Sequence, residues 1–142
     1  MSNTESMDLI TAACGPVVHT YTRAEALADG VLVDAGPLAK EAGFRWPVAL
    51  TAAAWEDSVA WTAEDSVRQV YQDVNGRLWD VLYLAAQTVR SGRAKGDRTL
   101  FRLDRVPRDR CSTQAVLATL KLVVGPGDDG QPVVTILLPD ED

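Results

Sequence analysis

The chain is poor in the residues from which most sites are made. It has one histidine, His19, and two cysteines, Cys14 and Cys111, in 142 residues. One histidine excludes a multi-histidine metal centre, and two cysteines are too few for a disulfide framework or a four-cysteine zinc site. No metal and no cofactor is expected. Aromatics make up only 6% of the chain, although four of them are Trp. No apolar run approaches the ~18 residues of a membrane span, so no membrane partner is expected. The first eight residues carry Glu5 and Asp8 where an export signal carries bases, which points to a cytoplasmic protein with reduced thiols.

What is present suits one soluble domain: 46% hydrophobic residues, 24% charged, and enough length for a self-sufficient core. Residues 1–15 lack any period and read as a flexible arm, leaving 16–142 as the globular unit. The most committed stretch is 76–90, where Leu78, Val81, Leu82, Ala85 and Val89 recur at helical spacing. Trp79, Leu84 and Ala86 widen its apolar surface, so it reads as a central helix covered from several sides.

Residues 16–21 read as a short strand. Thr22 and Glu25 form a capping-box pattern for a helix from Arg23 to about Ala28, ended by Gly30. Residues 31–33 are strand-like. A second short helix starts with Pro37 in its first turn and closes at Gly43. Extended structure over 46–50 leads to Thr51, a cap for a helix bearing Ala52, Trp55 and Val59. Thr62 and Asp65 repeat the capping-box pattern, and Val67, Val70, Tyr71 and Val74 behind it predict one amphipathic helix. Asn75-Gly76 breaks that helix, or alternatively forms a hairpin turn.

Beyond 91–97, a polar loop, the period changes to two. In 99–106, Phe101 and Leu103 oppose Arg102 and Asp104. In 115–124, Val116, Ala118, Leu120, Leu122 and Val124 form one alternate set. Gly125-Pro126-Gly127-Asp128-Asp129-Gly130 is a dense turn signal, and 133–138 is apolar on both faces, the mark of a buried strand. The tail 140–142 is acidic and reads as solvated. The predicted class is α+β: central helices packed on a C-terminal three-stranded antiparallel meander, with short N-terminal strands placed to join its edges.

Charge is the strongest compositional signal. Net charge is −6, but eight bases and three acids give 90–110 a charge of +5, and the remainder carries −11. Arg93, Lys95, Arg98, Arg102, Arg105 and Arg108 are candidate contacts for a phosphate backbone or an acidic partner. Stacking aromatics are missing apart from Phe101, so nucleic acid is not the favoured partner. Glu56, Asp57, Glu64 and Asp65 form a candidate acidic face on two consecutive helices. The loop 125–130 matches the dinucleotide-binding glycine pattern in letters, yet strands flank it and its two aspartates would repel phosphate.

His19, Tyr21 and Arg23 are the weak catalytic candidates. A strand with His19-Thr20, then a short helix and a glycine, distantly resembles the first NAD-contacting segment of ADP-ribosyltransferase folds. Those enzymes place a late glutamate on a strand, whereas Glu141 follows Pro139.

Four blocks together are more specific: His19 to Asp34, Gly43-Phe44-Arg45-Trp46-Pro47 and on to Thr51, Gly76-Arg77-Leu78-Trp79-Asp80 and on to Leu82, and Gly125 to Pro139. As a set they resemble a domain-of-unknown-function family of small bacterial proteins found on plasmids, phages and integrated elements, from about residue 17 to the end. The resemblance implies a cytoplasmic, mobile-element setting and carries no activity. The expectation is a non-enzymatic, acidic protein-interaction protein whose partner belongs to a host defence or replication system. An enzyme at His19 and Tyr21 is the alternative, and nucleic-acid binding through 90–110 a third. Oligomeric state is left open.

Overall fold

The computed structural model describes residues 20–92 and 96–142. The predicted arm, the strand at 16–19, His19, Cys14, Arg93 and Lys95 lie outside the described residues, and Thr20 and Tyr21 have no regular structure. The elements in chain order are α1 (Arg23–Ala28), β1 (Leu32–Asp34), α2 (Leu38–Ala42), β2 (Val48–Thr51), α3 (Ala52–Ser58), α4 (Ala63–Arg68), α5 (Val74–Arg90), β3 (Arg98–Arg105), β4 (Val116–Pro126) and β5 (Pro132–Leu137).

Threonines start three helices. Thr22, Thr51 and Thr62 each accept a hydrogen bond from the backbone N–H three residues on, and Glu25 and Asp65 complete the capping boxes of α1 and α4. Pro37 is the N-cap residue of α2, one place ahead of the predicted first turn, and Gly43 closes that helix in the left-handed region at φ 116°. A Cβ on Gly43 would also lie 1.6 Å from Arg90 Nη2, so a larger residue would have to displace that guanidinium from its bond to the Ala42 carbonyl.

The sheet has five strands, in the order β1-β2-β5-β4-β3. The predicted meander β3–β4–β5 is present and antiparallel, but it is only part of the sheet. β2 pairs parallel with β5, Val48 beside Val134 and Leu50 beside Ile136, and β1 adds to β2 antiparallel. The doubly apolar β5 therefore sits in the centre of a mixed sheet. Its Val134 and Ile136 face the helices, and Leu137, on the opposite face, is buried as well.

α5 packs across the helix-facing side. Val81, Leu82 and Ala85 are fully buried and meet Phe101, Leu103, Leu120, Leu122, Val48 and Leu50 in one core. Three expectations for this region are corrected. α4 ends at Arg68, so Val67 and Tyr71 are not part of an amphipathic helix; they are 85% and 80% exposed. Asn75-Gly76 neither breaks a helix nor forms a hairpin, because Asp73 caps α5 and accepts from Gly76 N at 2.6 Å, placing both residues in its first turn. Val89 is exposed, on the wall of an open pocket it shares with Phe44, Trp46, Val124 and Val134, and the buried position in that turn belongs to Thr88. Val116, the first residue of β4, is likewise exposed.

Candidate interaction surface

The end of α4 is the most unusual part of the molecule, and side chains account for it. Gln69 follows the helix, and its amide Nε2 donates to the Pro107 and Ser112 carbonyls, while its Oε1 accepts from Arg110 N. Ser66 Oγ accepts from Trp61 Nε1 and donates to the Gln72 carbonyl. These side chain–backbone bonds compete with helical ones and draw the chain away from the helix axis. The segment 69–73 is thus irregular and at the same time tied at several points.

Beneath it lies a buried arginine. Arg77, 2% exposed, donates from Nε to the Val59 carbonyl and from Nη1 to Gln72 Oε1 and the Val106 carbonyl. Its guanidinium carbon stands 4.6 Å from the Trp61 ring centre, a cation–π contact. Arg105, also buried, donates to the Arg77 carbonyl. Arg77 Nη2 and Arg105 Nε have no hydrogen-bond partner among the described residues. Burial first, and then the Arg105 charge, push the Arg77 guanidinium down to about 10, against the pull of Asp57. Burial also lowers Arg105, opposed by Asp80 and Asp57.

Arg108 closes the arrangement from outside, bonding Asp65 at 2.7 Å and Glu56 at 3.1 Å. Burial pushes the Asp65 carboxyl up, but the bonds from Arg108 and Thr62 outweigh it and hold it below the ordinary carboxylate value. Asp109 is drawn down to about 2 by the Ser112 hydroxyl and the N–H groups of Ser112 and Cys111. Arg110 has φ 76°, a left-handed conformation that a β-carbon disfavours. The result is a firm platform carrying Val67 and Tyr71 outward, beside an open cavity of about 500 Å³ lined by Glu64, Arg68 and Arg110 among others.

The predicted charged faces are therefore not two separate surfaces. Of the acidic set, Glu56 and Asp65 bond Arg108, Glu64 pairs with Arg68, and Asp57 accepts from Ser58. Of the basic set, Arg105 is buried and Arg108 is paired, while Arg98 and Arg102 remain exposed on β3. Sequence reasoning missed Arg77, Gln69 and the outward Val67 and Tyr71. An arginine beside Leu78 on the most apolar helix was the available signal.

Of the weak catalytic candidates, His19 is outside the described residues, and Tyr21 and Arg23 lie at the opposite end. Tyr21 donates to Asp29 at 2.7 Å, a bond that raises its phenol pKa. The Arg23 side chain bonds Thr135 Oγ1 and the Val134 carbonyl. Asp128, at the tip of the β4–β5 hairpin, accepts from the N–H groups of Arg23 and Ala24, and these hold its carboxyl below the usual value. The loop 125–130 is thus a hairpin tip that brings its own anion to α1. Glu141 is not free in a solvated tail: it accepts from Thr51 Oγ1 at 2.6 Å and from Leu138 N, and its carbonyl accepts from Lys121 Nζ. Tyr21 and Glu141 line one open cleft of about 660 Å³, with Asp29 and Asp142 also on its wall. Among the described residues no three His, Cys, Asp or Glu side chains are grouped to hold a metal ion, and no helix is long and apolar enough to cross a membrane.

Residues 7–142 match the model of a family of unknown function, DUF6573. The chain belongs to that family. The DUF6573 match begins ahead of residue 17, where the resemblance read from the sequence starts, and takes in every described element of the fold. No curated protein and no solved structure matches the chain.

Proposed function

We propose that this DUF6573 protein is a non-enzymatic interaction protein and that Val67 and Tyr71 are central to the surface that meets its partner. One observation carries the reading: two apolar side chains, 85% and 80% exposed, are displayed on a segment fixed from beneath by Gln69, Ser66 and Arg77. Ordering that segment before binding lowers the entropy lost on association, and the charged side chains of Glu64, Arg68 and Arg110 supply a polar rim. In the mobile-element setting implied by the resemblance, the partner is a cytoplasmic protein of a host defence or replication system. The test is capture from host lysate with the wild-type chain and with Val67→Ser/Tyr71→Ser side by side. A stoichiometric partner retained by the first and lost by the second supports the reading. Identical recovery by both, or no partner at all, overturns it.

A second reading, an enzyme of the ADP-ribosyltransferase type, is favoured by Tyr21 and Glu141 sharing a cleft. The carboxylates of Asp29, Glu141 and Asp142 around it work against a dinucleotide's phosphates. Absence of a calorimetric signal with NAD at millimolar concentration ends that reading.

A further inference from the structure

The sheet ends on β3, an eight-residue strand whose outer edge pairs with nothing among the described residues. Alternate residues of such an edge direct N–H and C=O groups outward, ready to accept another strand. Beside it an open cavity of about 350 Å³ is lined by Leu84 and Thr88 of α5 and by Leu100, Phe101 and Arg102 of β3. Leu100 is 56% exposed between Arg98 and Arg102 on the face away from α5, and Asp104 follows on the same face.

We propose that a second copy of this chain pairs antiparallel with this edge, joining two five-stranded sheets into one. The charge pattern selects the register. With Phe101 opposite its counterpart, Arg98 of each copy faces Asp104 of the other, so two opposite-charge pairs close the ends of the seam. The same register places Leu100 against the aliphatic stem of Arg102. Phe101 points to the helix side, and its counterpart is brought to the mouth of the cavity beside Leu84 and Thr88. A shift of two residues one way sets Arg98 against Arg102; the other way it sets Arg102 against Arg102. A further shift pairs Arg102 with Asp104 but overlaps only 101–105 and opposes Phe101 to Arg105. Like charges directly opposite destabilise a strand pair, so the first register is the one the edge admits at full length. An acidic extended peptide would satisfy the arginines but leave Asp104 facing a like charge.

Sedimentation equilibrium over a wide concentration range tests this. The wild-type chain is expected to dimerise. Asp104→Arg is expected to weaken the dimer about tenfold or more, since both end pairs become repulsive, and Arg98→Asp should do the same. The double variant Arg98→Asp/Asp104→Arg restores the opposite pairs and should recover wild-type association. Both side chains are solvent-exposed, and unchanged circular dichroism confirms the fold. A monomer at every concentration, unaltered association in Asp104→Arg, or failure of the double variant to recover would each overturn the proposal.

Discussion

The two ends of the molecule use charge in opposite ways. At the α4 end, two arginines are withdrawn from water and held largely by carbonyls: Val59 and Val106 for Arg77, and Arg77 itself for Arg105. At the α1 end, carboxylates at or near the surface are held by N–H groups, those of Arg23 and Ala24 for Asp128 and that of Leu138 for Glu141. In both places the backbone, more than an opposite charge, is the partner. The difference is solvent. A desolvated cation is costly unless its donors are filled, so the α4 end is rigid while its bonds hold and severely weakened without them. An exposed carboxylate on backbone N–H groups costs little and contributes modestly.

The largest expected effect follows from that contrast. Arg77→Ala should cost about 3–5 kcal/mol in urea unfolding, because it strands the Val59 and Val106 carbonyls and leaves a cavity beside Trp61, while Arg105 keeps its bond to the backbone carbonyl of residue 77. Arg23→Ala, at the other end, should cost only about 1 kcal/mol. Equal losses would erase the distinction.

Acid separates the ends in a second way. Asp128, Asp65 and Asp109 have folded pKa values below the ordinary 3.8, Asp109 near 2. Each therefore adds stability that is complete above the unfolded pKa and is lost as pH falls through the folded one. Melting temperature should drop between about pH 5 and pH 2. In Asp128→Asn that drop should be shallower, with the α1 end contributing less of it. The buried arginines, whose lowered values lie far above this window, should not affect it. An unchanged acid profile for Asp128→Asn would mean that the hairpin tip does not hold α1.

A smaller gain is expected from Arg110→Gly. Releasing a side chain from φ 76° should stabilise the fold by about 1 kcal/mol, less what glycine adds to unfolded-chain entropy. Smallest of all, Val67→Ser/Tyr71→Ser should shift stability by no more than about 0.5 kcal/mol, since neither side chain is in the core. A clear loss of stability in that variant would assign the pair to packing instead of recognition.

Local signals in the sequence were sound guides at three helix starts and at the central strand, and misleading at Asn75-Gly76, which the Asp73 cap draws into the first turn of α5. Thr22, Thr51 and Thr62 cap the helices they precede, and the apolar run of β5 marks the centre of the sheet. The end of α4 was illegible because it is fixed from afar, by bonds between Gln69 and residues 107–112. The spacing of Val67, Val70, Tyr71 and Val74 is a true helical period, and those bonds override it. The parallel β2–β5 pair leaves no mark either, because all five elements from α3 to β4 lie between the two strands. Charge misled for a related reason. The acidic and basic runs read as rival surfaces, yet Arg108 fastens one to the other. Composition counts charges without showing which of them meet.

The carboxylate of Asp128 has a dynamic consequence. It sits on the two amides that open α1, and the Arg23 side chain reaches back to the strand β5 that begins after the same turn. The amide hydrogens of Arg23 and Ala24 can therefore exchange with solvent only when the hairpin tip releases them. α1 and the β4–β5 tip open as one unit, and a six-residue helix too short to persist alone inherits the lifetime of the sheet's central strands.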